Sequence, residues 1–162
     1  MSAPVAGVPS APSRMQRGVV AGAVAGASLL GLLVGIGHRA GTAWRPINAA
    51  AHSILGSRAD GVWSYHGSVT PVGGLVVLTM SVAAGLLVAR ITSSFHTVHL
   101  IAAAAGVAFA SYVLHLHVVA RVSGGLAALL SVGELRGMYL MLAVALVIGM
   151  RFAFSPIATT PT

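Results

Sequence analysis

Four long, mainly apolar stretches divide this chain, and basic residues border them. Residues 18–37 lie between Arg17 and the pair His38 and Arg39, and 71–89 stop at Arg90. Residues 98–120 end at Arg121 and contain His99, His115 and His117, and 132–150 end at Arg151. A bilayer core of about 30 Å takes roughly 20 apolar residues in a helix. Each stretch meets that length and is apolar around its whole circumference, which marks a lipid-immersed helix rather than an amphipathic surface one. The expected fold is all-α: an integral membrane four-helix bundle over 18–154, between an N-terminal tail at 1–17 and a C-terminal tail at 155–162. Both tails are rich in Pro, Ser, Thr and Ala and have too few large apolar residues to fold alone. The first stretch exceeds the roughly 7–15 residues of a signal-peptide core, so it reads as a retained span.

Helix-end signals support these limits. Thr70 before Pro71 predicts an N-cap with proline in the first helical turn. Ser131 and Glu134 have the spacing of a capping box at the start of the fourth span. Gly124 and Gly125 are expected to close the third span, and Ser155 with Pro156 the fourth.

The connection at 38–70 is longer than a bundle turn needs, so it is expected to have structure or a purpose of its own. From Pro46 onward, Ile47, Ala50, Ala51, Ile54 and Leu55 fall on one helical face and Arg45, Asn48 and His52 on the other, until Gly56 ends the run. This predicts an interfacial helix along the membrane surface, anchored by Trp44 before it and by Trp63 and Tyr65 after it.

Composition changes the picture mainly by exclusion. The chain of 162 residues is 57% hydrophobic and 7% charged, with a formal charge of +7 from nine Arg, no Lys and only two acids, Asp60 and Glu134. Few acids rather than a basic patch set the charge, which argues against nucleic-acid binding. No cysteine is present, so disulfides, thiolate metal sites and thiol catalysis are excluded. Arg14, Arg17, Arg90 and Arg151 fall on the side of the termini, against Arg39, Arg45, Arg58, Arg121 and Arg136 on the other. The two arginines in the short leading tail tip the orientation towards cytoplasmic termini in a bacterial inner membrane.

The same topology brings His38, His52, His66, His115 and His117 to one end, with Asp60 and Glu134, and leaves His96 and His99 at the other. His38 and His117 are the one pair at matching depth for a b-type haem. A zinc or copper ion could take His52, His66, His115 or His117, with Asp60 as a further ligand, because imidazole and carboxylate suit both metals. Interfacial histidines also serve simply by bonding headgroups, water and carbonyls. Eighteen residues make five whole turns, so His99 and His117 share a stripe of span three with Ala103, Gly106 and Ala110 nearby, which predicts that His117 faces protein. On span one, Gly18, Gly22, Gly26, Gly31 and Gly35 form a small-residue face suited to helix association, within the bundle or with another subunit.

The segment carrying Trp44, Pro46, Asn48, His52 and Gly56 resembles small bacterial four-helix inner-membrane proteins of unknown function. In these an aromatic-x-Pro-x-Asn-Ala-x-x-His-x-x-x-Gly loop comes after the first span. The resemblance implies the same architecture and no particular activity. No nucleophile, base and acid occur in a recognisable spacing, and no phosphate-cradling glycine loop is present. The first expectation is therefore a non-catalytic membrane subunit, needing no cofactor, that packs against other integral membrane subunits of a larger complex, such as a bioenergetic one. The alternatives are a haem- or metal-binding redox or sensory protein using the one-sided histidines, and a small-molecule or lipid carrier.

Overall fold

Ser13 opens the first helix. Its hydroxyl accepts from the Gln16 amide at 3.2 Å while the Gln16 side chain accepts from the Ser13 amide at 2.8 Å. This reciprocal cap starts the helix four residues ahead of the apolar run, so part of the expected tail at 1–17 is helix. The computed structural model describes residues 13–92, 96–122 and 129–153. The rest of the two tails, and the expected stops at Gly124, Gly125, Ser155 and Pro156, lie outside the described residues.

Among the described residues four helices are long and apolar enough to cross a membrane. They are α1 (Arg14–Arg39), α4 (Thr70–Ile91), α5 (Thr97–Leu114, prolonged by a π-helical turn at His115–Val119 and a last turn at Ala120–Val122) and α6 (Val132–Phe152). Two short helices, α2 (Arg45–Ala50) and α3 (His52–Leu55), lie in the first connection and run into a 3₁₀ turn at Gly56–Ala59. The Ser131–Glu134 capping box forms as expected, with the Ser131 amide donating to Glu134 at 2.9 Å.

Small residues decide which helices come together. A methyl group at Gly22 would overlap the backbone of Val82, and one at Gly85 would overlap the Gly18 carbonyl. The α1 and α4 backbones therefore nearly touch, and dispersion between them is at its strongest. Gly149 of α6 seats on Ala21 from the other side of α1. Leu29, Leu33, Val88, Leu142, Leu146 and Met150 fill the space between. α1 is thus the hub, flanked by α4 and α6, and α5 completes the ring by packing on α6 and only thinly on α4.

Of the five glycines on the predicted α1 face, Gly18, Gly22 and Gly26 are taken up by α4 of the same chain, whereas Gly31 and Gly35 meet no atom within 4 Å. The face is split between an internal seam and an open surface.

The same substitution should separate these two roles. Gly22→Ala is expected to lower stability by about 1–3 kcal/mol through overpacking. Gly35→Ala should leave it unchanged or raise it by up to about 1 kcal/mol, the ordinary helix preference for alanine. Thermal unfolding in mild detergent compares the two directly.

Candidate functional site

Two sets of polar groups stand at the end of the bundle where α1 and α4 are connected. The first builds the cap over that end. Asn48 is fully buried. Its amide donates to the carbonyls of Val62 and Ser64, both at 2.9 Å, and its oxygen accepts from the Thr70 hydroxyl at 2.7 Å. The Thr70 oxygen in turn accepts from the His66 amide at 3.0 Å. Every strong donor and acceptor of the Asn48 side chain is engaged, as a buried amide requires. Around this hub Trp44 meets Tyr65 edge to face at 5.4 Å, the Arg45 guanidinium lies 3.9 Å over the Trp63 ring, and His52 contacts Asp60 at 2.7 Å. Gly56 holds a positive φ of 57°, which few side chains tolerate.

This geometry corrects three expectations. Asn48 belongs to the buried side of the short helix rather than its polar face, because the loop carbonyls it ties down lie inside. Ile54, placed on the apolar face, is 64% exposed, because the helix breaks at Ala51 and the face does not continue. Thr70 is the first helical residue rather than the N-cap, which is Val69, since the Thr70 hydroxyl is drawn to Asn48. The five motif residues Trp44, Pro46, Asn48, His52 and Gly56 thus shape and pin the loop.

The second set lies between α5 and α6. His115 is 8% exposed and its Nδ1 is 2.8 Å from the Tyr139 hydroxyl. Tyr112 packs edge-on against Tyr139, and its hydroxyl accepts from Arg136 at 3.4 Å. The Tyr139 hydroxyl has no other acceptor among the described residues, and in the arrangement where it donates to Nδ1 the His115 proton sits on Nε2. That buried Nε2 has no partner among the described residues. An unsatisfied buried donor costs about 1–3 kcal/mol.

His115 also opens the π-helical turn. Such a turn takes up one residue more than an α turn and rotates the residues after it, which breaks the eighteen-residue register. His115 is turned inward, and His117, expected to face protein, is exposed. His38 is exposed as well, on α1, which stands diagonally across the ring from α5. The expected haem pair is therefore not brought together across a packed seam. Nor do His52, His66 and His115 form one metal group: they partner Asp60, Ser68 and Tyr139 respectively. Among the described residues no three of His, Asp and Glu are close enough to hold an ion.

Where α5 meets α4 only thinly, a cleft of about 730 Å³ remains. Its α5 wall carries Ala102, Ala103, Gly106 and Ala110, its α4 wall Leu87 and Ile91, and His99 lies at one end. A Cβ at Gly106 would meet nothing within 4 Å.

No protein-family model, curated protein or solved structure matches the chain. The functional reading of the site accordingly comes from its geometry.

The residue pattern points to His115, with Tyr112 on the same side of its helix, and to the small residues of α5, but not to Tyr139 and Arg136 as their partners. The tyrosines lie within apolar runs, and nothing local signals that residues 24 positions apart will meet. Their coupling is measurable. Tyr139→Phe should cost about 1–3 kcal/mol by leaving both imidazole nitrogens unpaired. Adding His115→Leu should restore much of the loss, since removing both partners removes the orphan. A thermal double-mutant cycle reads the difference.

Proposed function

We propose that this chain is a non-catalytic integral membrane subunit of the bacterial inner membrane, with cytoplasmic termini, that packs against a larger membrane protein complex through the cleft between α4 and α5. The observation that carries this reading is the small-residue wall of that cleft. In lipid, apolar side chains gain nothing by leaving the hydrocarbon for a neighbouring helix, so association relies on close backbone approach. Ala102, Gly106 and Ala110 recur every four residues on one side of α5, all three exposed, beside Phe109 at 67% exposure. α5 is also the least covered of the four long helices, with 22% of its most apolar window buried against 33–39% in the others. A transmembrane helix from another chain would fit against this wall and supply the contacts that α4 does not.

A second reading is favoured by His115. A buried imidazole with one nitrogen fixed by a hydroxyl and the other without a partner has the arrangement of a haem or metal ligand and its supporting hydrogen bond. Ligation would require Nδ1–H to donate to Tyr139 instead, freeing Nε2. The absorption spectrum and metal content of protein purified from native membranes decide it. A Soret band or one metal ion per chain, lost in His115→Leu, would support this reading over the first.

For the subunit role, Gly106→Leu is the direct test, because a Cβ at that position meets no atom within 4 Å and the side chain starts in the open cleft. In native gels of mildly solubilised membranes the wild-type chain should migrate in a complex containing other membrane chains. Gly106→Leu should shift it to the size of the isolated chain, with its thermal midpoint in detergent unchanged. A wild-type band at monomer size, or a larger band containing this chain alone, would overturn the assignment.

A further inference from the structure

At the other end of α4, where the cap meets α1, lies a second and smaller hollow of about 410 Å³. Its floor is made by Gly31 of α1 and Gly74 of α4, neither of which has any atom within 4 Å of where a side chain would begin. Leu30 and Val34 form one wall, and Trp44 and Tyr65 stand at its edge. The hollow is an apolar slot roofed by an aromatic pair of the type that settles at the headgroup level of a bilayer.

Arg45 comes directly after Trp44 in the chain and sits 3.9 Å over the Trp63 ring, two residues before Tyr65, so a cation–aromatic pair adjoins the edge-on aromatic pair. Stacking holds a guanidinium by its face and leaves its N–H edges free to donate. The charge of Arg45 is not neutralised by the chain. Of the only two acids, Asp60 is engaged with His52, and Glu134 with Ser131 and with the nearby Arg39. Arg45 itself makes no ion pair or hydrogen bond among the described residues. A held, uncompensated guanidinium on the residue next to Trp44, which lines the apolar slot, matches the two halves of one molecule, a phosphate and an acyl chain.

We propose that this corner binds one anionic phospholipid, its phosphate on Arg45 and one acyl chain in the slot over Gly31 and Gly74. The inference rests on the chain being integrated in a membrane and is independent of the subunit role. A guanidinium edge donates to any phosphate, but a zwitterionic headgroup brings its own ammonium close by. The net attraction is therefore larger for a headgroup whose charge is negative overall.

The protein offers its own reporter, since Trp44 and Trp63 are its only tryptophans. The full chain, reconstituted in phosphatidylcholine vesicles, is titrated with acyl-brominated phosphatidylglycerol or acyl-brominated phosphatidylcholine, and tryptophan quenching gives the relative affinities. Phosphatidylglycerol should be favoured at least threefold. Arg45→Gln should bring the ratio close to one, Gly31→Leu should weaken quenching by both lipids, and Arg121→Gln, which removes an exposed arginine elsewhere, should leave the ratio unchanged. Circular dichroism melts confirm that each variant is folded. Equal affinities in the wild type, a preference that survives Arg45→Gln, or an equal loss in Arg121→Gln would overturn the site. If alkaline carbonate strips the wild-type chain from the vesicles, the membrane reading falls and the site with it. If the chain stays integrated and shows no preference, only the site falls.

Discussion

The architecture depends on how closely the α1 backbone can approach its neighbours. In water, burying leucine and valine would bring four such helices together, but in the hydrocarbon that helices of this length and composition suit, those side chains would find much the same environment as against a neighbouring helix. What remains is close contact, and it is best where no side chain intervenes. Gly18, Gly22 and Gly85 let α1 and α4 meet backbone to backbone, and Gly149 does the same for α6 on Ala21. The large side chains at Leu33, Leu146 and Met150 then fill a space whose width the glycines have set.

The first connection depends on the same seam. Gly73 extends the smooth surface of α4 to its first turns, where the Ile47 carbonyl rests against it. A backbone pressed so closely to another needs its polar groups satisfied, and Asn48 does this for two loop carbonyls at once while holding the start of α4 through Thr70. The loop is therefore a lid continuous with the bundle. The aromatic pairs on its outer side are positioned by the carbonyls and hydroxyl that Asn48 fixes on the inner side.

Much of this was legible in the residue pattern, and the parts that were not share a cause. The four long helices and the Ser131–Glu134 cap are local properties, written in runs of apolar residues and in a spacing of three. The Ser13–Gln16 cap is equally local, yet Arg14 and Arg17 mark the edge of an apolar run rather than the edge of a helix, and the two need not coincide. Asn48 reads as a surface residue because asparagine usually is one. Only the carbonyls of Val62 and Ser64, 14 and 16 residues away, make it a core residue. The inward turn of His115 depends on a π-helical turn and on Tyr139, neither of which periodicity reveals.

The placement of α5 shows why polar contacts matter more here than their number suggests. At one end Arg151 of α6 donates to Thr97, and towards the other Tyr139 bonds His115 and Arg136 bonds Tyr112. All three link α5 to α6. Among the described residues no side-chain hydrogen bond links α5 to α4, and the α5 surface that faces the cleft there includes Ala102, Ala103, Gly106 and Ala110. α5 is thus pinned along one neighbour and left apart from the other. If the small residues at Ala102, Gly106 and Ala110 served only the chain's own fold, α4 would be expected to close on them as it closes on Gly22. Instead α5 is held where it cannot do so, and the cleft is a consequence of the same polar contacts that fix the helix.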